Sequence, residues 1–389
     1  MNKMKLLVTG STFPRWEGDP EPRFVLDLAR NMSDRFDITV LVPAAPGAKD
    51  TEVLEGVKVV RYHYFPIHRW ETLCYPGAIA PRIKEKKIRI LLVPFLFLGL
   101  WIKLLSMQKD FDAAHAHWLI PQGIVHSFTR LPYIVTGHGG DVTSMNGGLL
   151  KALKKRCLKR ARAITAVSDA LADLVKEMAP GRDVSVLSMG VDTKKFGPQY
   201  RKEHLFTKED IPVVLFVGRL AEKKGVRYLI EAMEQVDALL VIVGIGPLQR
   251  ELEEQAAKAK RAKVVFLGGK THDELREIYA SADVFAAPSV TAKDGDKEGL
   301  GLVILEAMAS GLPVVASRSG GIVQVIRHEE NGLLSEERAS DEIARNLNRI
   351  LTDASLREKL IKGSYETAEA YDYRSQAEKY ADLIEKTCN

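Results

Sequence analysis

Short runs of uninterrupted apolar residues, each closed by a glycine that opens a helix-like segment, recur along this chain and restrict its fold more than any other feature. Leu6-Leu7-Val8-Thr9-Gly10, Val213-Val214-Leu215-Phe216-Val217-Gly218 and Leu239-Leu240-Val241-Ile242-Val243-Gly244 show the pattern. A strand with one wet face alternates apolar and polar residues; a continuous run suits a parallel strand buried on both faces. Such strands are expected at 5–9, 38–42, 57–60, 112–115, 133–136, 163–167 and 184–187, with helix-like segments at 22–32, 148–161 and 169–178. Right-handed crossovers then stack the strands into a doubly wound sheet.

The alternation stops and starts again. Residues 194–210 are polar and broken by Gly197-Pro198, and are expected to form a linker. Beyond them strands are expected at 212–217, 238–243, 264–267, 284–287 and 313–316, separated by helices; the tail, roughly 340–387, is helical throughout. With 389 residues the chain exceeds one ordinary hydrophobic core. The reading is an α/β protein of two domains, 1–193 and 211–372, with the final helix 373–389 expected to pack back on the first. Two facing domains of this kind place an inter-domain cleft at the carboxyl ends of both sheets, where ligands bind.

Composition narrows the partners. Lys and Arg number 56 against 51 Asp and Glu, a net charge of +5. That is too little for a dedicated nucleic-acid binder but compatible with anionic ligands or an anionic membrane surface. Cys74, Cys157 and Cys388 have no metal-ligand spacing, so a reduced, cytoplasmic compartment is expected. The start, Met1-Asn2-Lys3-Met4-Lys5, runs into only four or five apolar residues, too few for a signal-peptide core. Ile88–Leu105 is the most apolar stretch. Its unbroken core, Ile90–Ile102, has 13 residues against the roughly 20 that span a bilayer. A membrane-spanning helix is therefore not expected. Arg82–Arg89 gives that stretch a basic edge, which would suit peripheral contact with an inner membrane surface; packing as a core helix is the favoured reading.

Three segments of the second half carry the chemistry. In Val217-Gly218-Arg219-Leu220-Ala221-Glu222-Lys223-Lys224-Gly225 a strand ends at a glycine and a basic turn precedes a helix. Arg219 can fork two phosphate oxygens and Lys224 supplies a compact charge; the plain alternative is a solvated basic turn. Val243-Gly244-Ile245-Gly246-Pro247 is a second strand–glycine–helix turn, whose glycines would let a flat base approach the backbone. It is not a Gly-x-Gly-x-x-Gly fingerprint. In Glu298-Gly299-Leu300-Gly301-Leu302-Val303-Ile304-Leu305-Glu306 two carboxylates flank a glycine-rich run entering a helix. Glu298, in the loop, can accept from sugar hydroxyls. Glu306 can accept from a ribose diol, and the backbone N–H groups of Gly301, Leu302 and Val303 would face a diphosphate.

In the first half, Val135-Thr136-Gly137-His138-Gly139-Gly140-Asp141 places His138 on a glycine-rich loop beyond a strand. It reads as a cleft-facing residue or as a loop histidine capping local backbone. His115 and His117 share one face of a strand without an evident third metal ligand. They are expected to pack, or to line an acceptor side. Ser168-Asp169 reads first as a helix cap. Asp294-Gly295-Asp296 could hold a divalent ion with Glu298, but a solvated turn is preferred, so no metal is expected.

These segments resemble the retaining glycosyltransferases of family 4, which have the GT-B fold of two Rossmann-like domains. The resemblance runs from Leu6 to about Asn331. It implies donor-binding roles for Glu298 and Glu306, matching the family's pair of glutamates, and phosphate binding by Arg219 and Lys224. It sets His138 against the donor sugar, and it places Arg15 and Arg23, in the stiff loop from Ser11 to Phe24, on the acceptor side with His117 and Asp141. That loop carries Gly18 alone where the family has paired glycines. The implied activity is transfer of a sugar, a hexose in the expected case, from a nucleotide-diphosphate donor to a glycan or lipid-linked acceptor. Domain closure completes the site, with no cofactor beyond the donor substrate. A sugar-nucleotide epimerase of the same fold and a non-catalytic nucleotide-sugar-binding protein are the alternatives.

Overall fold

The computed structural model describes residues 3–19 and 21–388. Met1, Asn2, Asn389 and Pro20 of the stiff loop lie outside the described residues. The chain forms two compact units, Met1–Met189 with Tyr373–Asn389, and Gly190–Asp372.

The first unit holds β1 (Met4–Thr9), β2 (Phe36–Pro43), β3 (Thr51–Leu54), β4 (Val57–Tyr62), β5 (Ala113–His117), β6 (Tyr133–Gly137), β7 (Ala163–Ala166) and β8 (Ser185–Val186). They lie in the order β3-β4-β2-β1-β5-β6-β7-β8. All neighbours are parallel except β3, which turns back onto β4. The apolar runs are buried as their continuity demands: Leu6, Leu7, Val8, Ile134 and Val135 are fully enclosed. Helix Tyr373–Cys388 belongs to this unit. Its Tyr380 is fully buried and donates to the Leu187 carbonyl at 2.9 Å. Arg35 clamps Asp382 and Glu385 of the same helix at 2.6 and 2.5 Å.

The second unit is a six-stranded parallel sheet in the order β11-β10-β9-β12-β13-β14. The strands are β9 (Val213–Val217), β10 (Leu239–Val243), β11 (Lys263–Gly268), β12 (Val284–Ala287), β13 (Val314–Ser317) and β14 (Leu333–Ser335). One apolar layer packs on each face. In both sheets the strand order reverses direction once, between β1 and β5 and between β9 and β12, and the loops leaving those strands diverge to open a crevice.

Three expectations are corrected. Residues 194–210 are not a free linker, because they belong to the second unit. Phe196 is buried with its ring 5.6 Å from that of Tyr279, and Arg201 donates to the carbonyls of Ala280 and Ala282. The edge strands β3 and β14 were not expected. β3 is four residues long and its reversal rests on Glu55 (φ 48°) and Gly56 (φ 86°), while β14 is a three-residue strand.

The third correction concerns the apolar stretch. Lys87–Asp110 is a continuous helical run of 24 residues whose most apolar 18 have a mean hydropathy of 2.2, by length and composition sufficient to cross a membrane. It is not a core helix. Leu96, Leu100 and Leu104, one turn apart on one face of helix Val93–Met107, are buried. Phe95, Leu98, Ile102 and Leu105, on the opposite face by the 100° step of a helix, are exposed. The inner face is held tightly, since a Cβ at Gly99 would lie 2.9 Å from Tyr64 Cα.

This division has a measurable consequence. Leu100→Ala should cost about 2–5 kcal/mol in the urea unfolding of the first unit, whereas Leu98→Ala should stay within about 0.5 kcal/mol of the parent. Equal losses would contradict one-sided burial.

Candidate active site

The second unit gathers its candidate residues at the carboxyl ends of β9 and β12. Gly225 starts helix Val226–Ala232 in the left-handed region (φ 63°), and a Cβ there would fall 1.9 Å from the Pro288 carbonyl oxygen. This turn directs Lys224 toward Glu298, Nζ to Oε2 2.6 Å, with both side chains largely shielded. Burial alone would raise the Glu298 carboxyl; the charges of Lys224 and Lys223 hold it below the usual carboxylate range. Arg219 is exposed and has no ion pair among the described residues. Lys224, Glu298, Gly301 and Val303 line one small hollow with Ser289 and Phe216.

Glu306 is half-buried within helix Leu302–Ala309 and accepts a 2.8 Å hydrogen bond from the buried phenol of Tyr279, so it is no bare surface charge. That helix opens at Gly301 (φ 79°) with no side-chain cap, which leaves its first-turn N–H groups without intrahelical partners. Two features escaped the sequence reading. The Glu298 carbonyl accepts from Gly321 N–H at 3.0 Å, and a Cβ at Gly320 would lie 2.1 Å from that same oxygen. The only signal for this support was the Gly320-Gly321 pair.

Gly244 and Gly246 are required where neighbouring main chain comes close. A Cβ at Gly244 would lie 1.9 Å from the Gly218 carbonyl oxygen, and one at Gly246 2.3 Å from that of Leu220. Leu220 N–H donates to Ile245 O, and Leu248 N–H to Leu220 O, each at 3.0 Å. These glycines admit neighbouring backbone. Asp294-Gly295-Asp296 forms a local turn, with Asp296 N–H donating to the Asp294 carboxylate at 3.1 Å and the Asp296 carboxylate 3.1 Å from Lys223.

In the first unit, His138 sits half-buried beyond β6, boxed by Trp118 (ring centroids 4.8 Å), Phe24 (5.2 Å) and His117 (5.2 Å). Its Nε2 and His117 Nδ1 share a 3.0 Å hydrogen bond. Burial pushes the His138 imidazole down to about 3, so at neutral pH it is an uncharged donor or acceptor. Phe24 and Trp118 were not singled out from the sequence; Trp118, directly after His117 at the crevice, carried the signal.

The acceptor-side expectations fare differently. His117 is fully buried and reaches only its neighbours. Asp141 is also buried; its carboxylate accepts from the N–H groups of Leu119, His138 and Gly139 at 2.8, 3.0 and 2.9 Å. Its carboxylate thereby shapes the His138 loop. Arg15 forks Asp19 at 2.9 and 2.8 Å, and Arg23 forks Glu55 at 2.7 and 2.8 Å. Both guanidiniums are therefore engaged in stiffening the loop after β1. Ser168 stands at the N-cap of helix Asp169–Met178 but makes no capping bond; its buried hydroxyl has no partner among the described residues.

Two other clusters hold none of these residues. A basic hollow lined by Arg130, Lys159 and Arg182 lies at the opposite, amino-terminal ends of β6 to β8. His63, His68 and Glu71 bring three ligand atoms within 4.8 Å of one another. The two imidazoles, however, lie parallel at 3.5 Å, which keeps their lone pairs from converging, and His63 already bonds Glu71 and Asp50.

Comparison with known proteins adds lineage to this geometry. Residues 22–195 match the family model for Glycosyltransferase Family 4, and residues 199–367 that for Glycosyl transferases group 1. An uncharacterized glycosyltransferase of Methanocaldococcus jannaschii is 31% identical over 337 residues, covering 80% of each chain. A GDP-mannose-dependent alpha-(1-6)-phosphatidylinositol monomannoside mannosyltransferase of Mycolicibacterium smegmatis is 31% identical over 97% of each. Among solved structures, sucrose-phosphate synthase from Thermosynechococcus elongatus superposes with a TM-score of 0.80 at 22% identity over 99% of both chains. Anabaena HepE in complex with UDP-glucose does so with 0.74 at 20% identity, covering 98% of this chain and all of its own. At these identities the two structures speak for the fold alone.

The buried histidines make the first unit sensitive to acid. His115 and His126 are fully enclosed and burial pushes each down to about 3, against about 6.5 when unfolded. Between those values the unfolded chain binds protons that the folded chain refuses, so stability falls as pH falls. Each imidazole should cost about 2 kcal/mol between pH 7 and pH 5. His126→Gln should remove its share of that dependence in urea titrations at the two pH values; an unchanged dependence would contradict its burial as a neutral ring.

Proposed function

The chain belongs to glycosyltransferase family 4, and from that membership we propose that it moves a sugar, with retention at the anomeric carbon, from a nucleoside-diphosphate donor to a hydroxyl of a glycan or lipid-linked acceptor. The observation that carries the proposal is the shielded Lys224–Glu298 pair, with the exposed cation of Arg219 earlier in the loop that bears Lys224, at the strand ends where the second sheet reverses direction. Arg219 offers a planar fork for two phosphate oxygens. Lys224 holds a charge that a diphosphate can share, and doing so frees the Glu298 carboxylate for sugar hydroxyls. The uncapped start of helix Leu302–Ala309 adds N–H donors to the same group.

In this reaction the bond between the anomeric carbon and the diphosphate oxygen breaks as the bond to the acceptor oxygen forms on the same face. The acceptor proton passes to the departing phosphate oxygen. Arg219, Lys224 and the helix start stabilise the charge that develops there. His138, uncharged in its aromatic box, serves as a hydrogen-bonding partner of the sugar rather than as an acid. Fixed positive charge does the work a metal ion would do, so transfer requires no cofactor. A relative supports a nucleotide-sugar donor: the mycobacterial protein's name specifies GDP-mannose. A thermal-shift screen of UDP-, GDP- and ADP-sugars identifies the donor, because a ligand bound only by the native state raises its melting temperature.

Arg219→Ala, which unpairs nothing, should lower kcat/KM by about tenfold to a hundredfold. Lys224→Ala should lose at least as much, and its melting temperature should fall because Glu298 is left without its counter-charge. Near-normal turnover in both variants would refute the assignment. The product's anomeric configuration, read by NMR, should match that of the donor, and turnover should persist in EDTA. Conversion of the sugar nucleotide with the acceptor omitted would point instead to an epimerase.

A further inference from the structure

Lys87–Asp110 presents an apolar surface to solvent that its own unit leaves uncovered. Phe95, Leu98, Ile102 and Leu105 recur at spacings of three and four along one face of the helix and are 38–56% exposed. Ile88, Ile90 and Leu91, in the turn that leads into it, are exposed by 57–72%. Phe65 extends the surface sideways, its ring 4.8 Å from Phe95 and 5.8 Å from the half-exposed Trp70. A helix that is apolar on every side normally lies inside a protein or in lipid. This one is buried only along Leu96, Leu100 and Leu104.

The charge around the ridge selects what covers it. Residues 67–109 contain eight lysines and arginines against two acids, Glu71 and Glu85, an excess of six where the whole chain has five. Glu71 is buried, and Glu85 is tied to Arg82 and Arg89. Arg69, Lys84, Lys86, Lys87 and Lys109 stand exposed around the apolar ridge. A second copy of the chain would bring these like charges together across a two-fold contact. A bilayer with anionic headgroups accepts both features at once: the aliphatic and aromatic side chains enter the interface and the lysines reach the phosphates.

We infer that this ridge docks the protein on an anionic lipid surface, with helix Val93–Met107 lying in the plane of the interface. It does not span the bilayer. Its inner leucines are packed in the first unit, and Gly99 lies against the backbone of Tyr64. The inference is independent of the donor-site reading, because lipid binding is read without turnover.

The test is flotation of the full chain with vesicles of phosphatidylcholine, with and without about one-third phosphatidylglycerol. The protein should float with the anionic vesicles only, and release with added salt as screening grows. Replacing Lys84, Lys86 and Lys87 together by Gln should weaken binding about a hundredfold. Leu98→Glu with Ile102→Glu should abolish it while leaving the melting temperature and any donor-induced thermal shift unchanged, since both side chains are exposed. Failure of the parent to float, flotation of the Glu variant at parental affinity, or retention through alkaline carbonate extraction would each overturn the inference. So would a concentration-dependent dimer that disappears in the Glu variant while the parent ignores vesicles.

Discussion

Both sheets are buried on both faces, and that single constraint organises the protein. A parallel strand enclosed above and below holds a polar side chain only where a partner meets it, as Thr136 meets His115 at 2.7 Å, because an unpaired polar group in such a layer costs more than the strand can recover. The candidate site residues lie beyond the strand ends. Arg219, Lys224 and Glu298 follow β9 and β12, and the box of Phe24, Trp118 and His138 follows β1, β5 and β6. Each group lies where its sheet reverses direction. The architecture thereby supplies sites with rigid floors, and the loops decide what those sites bind.

Within the second unit the charges are balanced before any ligand arrives. Lys224 and Glu298, 2.6 Å apart, neutralise each other in a shielded position, which avoids the several kcal/mol that one unpaired charge would cost there. Lys223 and Asp296 repeat the arrangement nearby. Arg219 makes no ion pair among the described residues, and its exposure to water makes that tolerable. On the proposed function, a dianionic diphosphate would meet one cation ready to bind and another that must be shared. The first unit meets the same problem differently: burial keeps the imidazoles of His115, His117, His126 and His138 neutral, and Asp141 accepts from three backbone donors.

The sequence made the architecture readable wherever the apolar runs were long. β9 and β10 follow directly from runs of five apolar residues, and β1 and β2 from shorter runs, because burial on both faces leaves no other solution. It concealed what depends on non-local contact. β14 is only three residues long, and its pairing with β13 makes it a strand. Residues 194–210 looked like a linker because polar composition does not reveal that Phe196 meets Tyr279. Arg15, Arg23 and Asp141 had the right chemistry for binding, yet their partners Asp19, Glu55 and the 119, 138 and 139 amides emerge only when the chain is folded. The helix after Arg89 looked like core because composition cannot say how many of its sides will be covered. Glu298 and Lys224 were visible because glycines flanking a charge leave few alternatives; the Gly320-Gly321 turn beneath Glu298 was not, since nothing local ties it to a loop twenty residues away.

The close approach of the 218–220 and 244–246 loops also bears on how such a protein diversifies. Gly244 and Gly246 are held small by main-chain oxygens about 2 Å from where a methyl would sit, so neither position can be exchanged without rebuilding the turn. Between them Ile245 is 62% exposed and meets no such obstacle. Variation in this crevice is channelled into one side chain on an unyielding frame. A lineage could thus change what it recognises there by altering a single codon, while the scaffold beneath stays as it was.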